Sequence, residues 1–206
     1  RVSVQAVDDA LLDGPAVVGF ARMVVLGGDA QRIHEEIVSA GGRIVEGRFR
    51  RFDTRGELDE VWRAAAHVGV HHDLVTRLAG LWDRIGPGLN IALEARLRER
   101  TETLTSRLQT RADREVGDIR SVMEELARRI DAELAGPTGQ LELFSVDERQ
   151  QLERDVAALR ARRAAVPGEI QRETARVRRR YASADPRLFP FAVVFLVPRS
   201  MALGGS

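Results

Sequence analysis

The chain has 206 residues, a formal net charge of +1, 44% hydrophobic and 31% charged residues, only 5% aromatic ones, and no cysteine. All 32 of its basic residues are arginine. Without lysine the chain cannot build a P-loop or form a Schiff base, and without cysteine it has no thiolate metal site, thiol nucleophile or disulfide. A net charge near zero leaves no global attraction for a polyanion, so any basic surface must be local.

Arg1–Val7 alternates and reads as a short strand. Asp13-Gly14-Pro15 is a turn, and Ala16–Leu26 is β-branched and apolar, the pattern of a buried strand. After Gly27-Gly28, Asp29 reads as the cap of a helix through about Ala40, with Ile33, Ile37 and Val38 on one face and Gly41-Gly42 as its stop. Arg43–Phe52 reads as another strand, with Gly47 at a bulge. Thr54 and Glu57 have capping-box spacing for a helix through about Ala66. A further helix runs from about Asp73 until Gly86-Pro87-Gly88 breaks it.

Leu89 to Tyr181 reads as two long helices folded back on each other. In the first arm Leu104, Leu108, Ala112, Val116, Ile119, Met123, Leu126 and Ile130 recur at helical spacing, with the alternating three and four steps of a coiled coil from Val116 onward, and in the second Leu152, Val156, Leu159, Val166, Ile170, Thr174 and Val177 repeat the pattern. Gly136-Pro137-Thr138-Gly139 separates them, and Ser145 with Glu148 caps the return arm. Leu141, Leu143 and Phe144 are expected to fold over the open end. Pro167 predicts a kink or short break, with Gly117 facing it from the other arm.

Phe191–Val197 is a strongly β-prone run whose obvious partners are Ala16–Leu26 and Arg43–Phe52. The expected fold is therefore α+β: a small mixed β-sheet with flanking helices and a long, protruding antiparallel helical (coiled-coil) hairpin inserted before the last strand. The expected divisions are 1–88 for the small α/β part, 89–181 for the hairpin, 182–198 for the returning strand, and 199–206 for a disordered tail. The longest apolar stretch, Phe189–Val197, is interrupted by Pro190 and too short to span a bilayer, and no signal peptide is visible. With the lack of cysteine, these features fit a cytoplasmic protein off the membrane, which is the expectation. It opens on Arg1 rather than methionine, which suggests a piece of something larger.

Few residues suggest chemistry. His34-Glu35-Glu36-Ile37-Val38 begins like a zinc-protease helix but has valine where the second histidine belongs. His67 and His71 are four apart and stand beside His72 and Asp73, yet no fourth ligand is evident. Gly27-Gly28 lacks the dinucleotide fingerprint and reads as a turn. No catalytic, cofactor-binding or metal residue is assigned.

Local charge is more informative. Between Arg160 and Arg187 there are nine arginines against Glu169, Glu173 and Asp185, whereas Glu115–Glu133 and Gln140–Asp155 are acidic. A hairpin built this way is acidic at its tip and basic at its root. Either the root is a solvated surface of exchanged ion pairs, or it contacts nucleic-acid phosphates. The candidate phosphate contacts are Arg176, Arg178, Arg179 and Arg180, with Arg48, Arg50 and Arg51 from the earlier strand. Leu141, Leu143 and Phe144 at the tip are the candidate docking site for a protein partner.

The run QLELFSVDERQQLERDVAALRARRAAVPGEIQRETARVRRRYASADPRLFPFAVVFLVP resembles the C-terminal region of bacterial SNF2-like helicases of the DISARM anti-phage defence type. The pieces QRIHEEIVSAGG, GRFRRF and VMEELARRIDAEL are similar too. The resemblance covers most of the chain and rests most on QLELF and the RLFP…FLVP ending. It implies a parent ATPase that moves on double-stranded DNA, with ATP and Mg held by motor lobes outside this chain. None of the family's catalytic motifs occurs here. The implied role is a non-catalytic accessory domain, with double-stranded DNA, the motor lobes of the same polypeptide or defence-system subunits as partners. The alternative is a coiled-coil adaptor that binds protein and not DNA.

Overall fold

The computed structural model describes residues 2–136 and 145–204. Its elements are β1 (Val2–Val7), β2 (Ala16–Leu26), β3 (Arg32–Val45), β4 (Arg48–Arg51), α1 (Arg55–Arg63), α2 (His72–Ala79), α3 (Trp82–Leu134), α4 (Val146–Tyr181), β5 (Asp185–Pro198) and α5 (Arg199–Ala202). The fold is mixed α+β, and the long helices α3 and α4 come between β4 and the last strand, as expected. Two compact units result. One holds the strands, α1, α2, α5 and α3 through Leu104; the other holds the turn Gly27–Gln31 and residues Thr105–Ser183.

The sheet unit has strand order β1-β5-β2-β3-β4. β5 runs parallel to β1 and antiparallel to β2, so the last strand is inserted between the first two. It pairs with Ala16–Leu26 as expected, but not with Arg43–Phe52, whose two halves pair with each other. Val7, Leu12, Ala16, Val18, Leu58, Val61, Val194 and Leu196 form the core on one side of the sheet, and Phe20 meets Trp62 edge-on at 4.9 Å beside it. On the opposite side Leu89 and Leu93 of α3 pack over Gly19.

The reading of Asp29–Ala40 as a helix is wrong; residues Arg32–Val45 are β3. The Asp29 carboxylate accepts from the Gln31 N–H at 3.1 Å, and Ala30 has φ 60°, so Asp29 builds a tight turn rather than a helix cap. Along β3, Val38, Ala40 and Ile44 are buried while Ile37 is 68% exposed, the period-two pattern of a strand. Gly41-Gly42 does not stop anything. A Cβ on Gly42 would come within 2.2 Å of the Arg50 carbonyl oxygen, so this residue lets β4 approach β3 closely. Gly47 is not at a bulge either. Val45 pairs with Arg48, and Glu46 and Gly47 both have positive φ (51° and 72°), which makes a two-residue type I′ hairpin turn.

Gly86-Pro87-Gly88 was expected to break a helix but lies inside α3. A proline in a helix interior costs about 3 kcal/mol. Burying a side chain the size of Ile or Leu returns about 1.5–3 kcal/mol. Ile85 and Leu89, on either side of the triplet, are 0% and 1% exposed, which offsets the proline. In β5, Pro186 and Pro190 fall in the stretch that β1 does not cover, since β1 pairs only from Val193 onward. Proline is tolerated there because that edge needs no ladder donor. Residues Arg199–Ala202, expected in a tail, form α5; Ala202 is buried, and the Ser200 N–H donates to Asp9 at 3.1 Å.

The helical unit is an antiparallel pair. Arg163 bonds Asp131 at 2.9 Å, and the Tyr181 hydroxyl donates to Glu115 at 2.7 Å, so later residues of α4 meet earlier residues of α3. Leu108, Ala112, Val116, Ala127 and Ile130 are buried on α3, and Val166, Thr174 and Val177 on α4. This matches the apolar seam read from the sequence in part: Ala127 is buried where the pattern has Leu126, and Leu152 of the return arm is 38% exposed. The buried Thr174 hydroxyl donates to the Ile170 carbonyl at 2.7 Å, so its burial leaves no polar group unsatisfied. α4 begins with the expected capping box between Ser145 and Glu148. It runs unbroken through Pro167. The small residue beside Pro167 is Ala127, and the exposed Gly117 has nothing near it.

Candidate nucleic-acid interface

The last turns of α4 place the four candidate arginines on different sides of one helix. Successive residues rotate by about 100°, so Arg178, Arg179 and Arg180 point three ways. Arg176 and Arg179 share an outward stripe with Arg172, opposite the buried Thr174 and Val177. Arg176 is exposed and pairs with Glu173 at 3.2 Å. Arg178 and Arg179 are exposed and make no ion pair among the described residues.

Arg180 is committed elsewhere. Its guanidinium lies 3.3 Å from Asp29 and 3.8 Å from Glu115, and it is half-buried. Glu115 also accepts from Tyr181 at 2.7 Å and Arg111 at 3.1 Å. Burial opposes the charge on Asp29, but the Gln31 N–H and the Arg180 guanidinium outweigh it and hold that carboxyl below its usual range. Burial and the Glu115 carboxylate together push the Tyr181 phenol up. Arg180 is thus part of the scaffold of the helical unit, unlike its three neighbours.

The other arginine group belongs to the sheet unit. Arg48 and Arg50 alternate onto one face of β4, exposed and without an ion pair among the described residues. Arg51 faces the other way and pairs with Glu99 at 3.1 Å. The sequence does not distinguish these roles, because a charged residue looks the same whether its partner lies nearby in space or not. The docking candidates Leu141, Leu143 and Phe144 lie outside the described residues.

Missed by sequence reasoning is a second basic row, Arg107, Arg111 and Arg114 on α3. Its i, i+4, i+7 spacing is visible in the chain, but the acidic stretch that starts at Glu115 masks it in a charge count.

His71 precedes α2 and His67 lies in an irregular segment, so the two do not share a helix face. No metal-capable cluster of His, Asp or Glu occurs among the described residues. The cleft of about 380 Å³ between α3 and β5 is lined by Trp82, Leu89, Leu93, Phe191 and Phe195, with Asn90 as its polar side chain. Such a lining can bind an apolar group but cannot move a proton. No described helix is long and apolar enough to cross a membrane. Comparison of the chain with protein-family models and with curated proteins finds no match to either.

Proposed function

We propose that this chain is a cytoplasmic, non-catalytic accessory module that contacts the backbone of double-stranded DNA, serving an SNF2-like ATPase of phage defence whose motor lobes hold ATP and Mg. The observation that carries the DNA contact is the exposure of Arg176, Arg178 and Arg179 at the end of α4, two of them with no acidic partner among the described residues. An unneutralised arginine on a rigid helix is suited to phosphate oxygens, which give affinity without reading sequence. The link to the ATPase rests on the sequence resemblance alone.

The test is binding of the full chain to a short DNA duplex at two salt concentrations, beside a variant with Arg176, Arg178 and Arg179 changed to Gln. Arg180 is left intact because it supports the fold. Binding that falls steeply with salt and weakens in the variant is the expected result. No binding by the unaltered chain at low salt removes DNA from the reading. One observation then favours the protein-adaptor alternative. Ile37, Phe189 and Phe191 are 68%, 53% and 60% exposed around one open depression of the sheet unit.

A further inference from the structure

The basic row on α3 offers more to a polyanion than the α4 arginines first read from the sequence. Arg107, Thr110, Arg111, Arg114 and Glu115 line an open depression of about 440 Å³. Arg107, Arg111 and Arg114 recur on one side of the helix over roughly 10 Å of its axis, at ~1.5 Å per residue. All three are exposed. Arg107 and Arg114 make no ion pair among the described residues, and Asp118, one turn beyond Arg114, forms none with it.

Glu115 is the acid that lines this row among the described residues, and it is already occupied. It accepts from the Tyr181 hydroxyl at 2.7 Å and from Arg111 at 3.1 Å, with Arg180 at 3.8 Å. Those contacts fix Arg111 in place and leave the charges on its two neighbours uncompensated. An array of fixed guanidinium groups on a rigid element suits phosphate, which arginine binds through two parallel N–H donors.

We propose that Arg107, Arg111 and Arg114 form a phosphate-binding row for the backbone of a nucleic-acid duplex, with Arg111 oriented by Glu115 and Tyr181. This rests on the nucleic-acid reading above and names which helix makes the main contact. A duplex fits better than a single strand. Single-strand sites stack bases on aromatic side chains. Tyr181 is the only aromatic residue among the described residues of the helical unit, and its hydroxyl is bonded to Glu115.

The experiment compares the full chain with R107Q/R114Q and with R178Q/R179Q. Each protein is titrated against a labelled DNA duplex, and against the matching single strand, at several salt concentrations. Glutamine keeps the helix at these exposed positions, and far-ultraviolet circular dichroism confirms it. If the row makes two phosphate contacts through these arginines, R107Q/R114Q lowers the slope of log K against log salt by about 1.8, at ~0.9 per contact. Duplex affinity falls by about tenfold or more, and by more than in R178Q/R179Q. Unchanged affinity in R107Q/R114Q together with a loss in R178Q/R179Q overturns this inference and leaves the DNA reading standing. Tighter binding of the single strand overturns the assignment to duplex. No binding by the unaltered chain overturns the DNA reading itself.

Discussion

The Gly28 N–H donates to the Arg180 carbonyl at 3.0 Å, so the turn between β2 and β3 caps the last turn of α4. A helix leaves its final carbonyls without donors from its own backbone, and α4 ends on Ala182 in a right-handed conformation rather than on a capping glycine. The missing donor comes from a residue far away in the sequence. A Cβ on Gly28 would stand 2.4 Å from the Arg179 carbonyl oxygen. Gly28→Ala is therefore expected to destabilise the protein by about 1–3 kcal/mol, the usual cost of overpacking a close contact. Gly14→Ala is the control, because nothing lies within 4 Å of the Cβ it adds. Denaturant unfolding of the two variants measures the difference, and equal stabilities would show that the turn does not pack on α4.

Tyr181 is the only tyrosine in the chain, so ultraviolet absorbance follows its ionisation directly. Burial, with Glu115 beside it, holds the phenol above its ordinary value of 10.0. A raised value in the folded state means that folding favours the neutral phenol. The stability it contributes is complete below the unfolded value and disappears as pH rises through the folded one. Glu115→Gln is expected to move the absorbance midpoint down toward the ordinary value. An unchanged midpoint would show that burial alone sets it.

In the sheet unit, Arg100 grips Glu36 through two hydrogen bonds of 2.7 Å, joining α3 to β3. The Arg100 guanidinium holds the Glu36 carboxyl below its ordinary 4.5, although burial opposes this. The stability so gained is present above the unfolded value and is lost as pH falls through the depressed folded value. Arg100→Gln is expected to lower stability at neutral pH and to flatten the loss of stability on acidification. Unfolding curves taken from neutral to acid pH test it, and parallel curves for the two proteins would argue against the pair.

The Ser145 side chain accepts from the Glu148 N–H, and Glu148 accepts from the Ser145 N–H at 2.8 Å. Ser145→Ala removes half of this box and is expected to cost about 1 kcal/mol. Thr54→Ala provides the matching test at α1, where Thr54 Oγ1 accepts from the Glu57 N–H at 3.2 Å. The Glu57 side chain reaches back to the Asp53 N–H and to Arg43 rather than to Thr54. Arg43 retains that carboxylate in the variant, so the loss at Thr54 is expected to be no larger than at Ser145.

Features that depend on local pattern are legible in the chain. The seam through Val116, Ile130, Val166 and Val177, the cap at Ser145 and the buried strand Ala16–Leu26 were legible because periodicity and capping act within a few residues. Asp29–Ala40 was misread because an Asp after two glycines begins a turn or a helix equally well. Pairing of Arg32 through Arg43 with β2 decided for the strand. Gly86-Pro87-Gly88 was misread because burial beneath the sheet outweighs the cost of proline, and burial is not a property of three residues. The same holds for the candidate interface. Sequence counts arginines, but only the tertiary structure assigns Arg180 to Asp29 and Glu115, leaves Arg179 exposed, and fills Glu115 beside Arg107 and Arg114. Charge is written in the chain, whereas its neutralisation depends on which distant residues the fold brings within a few ångströms.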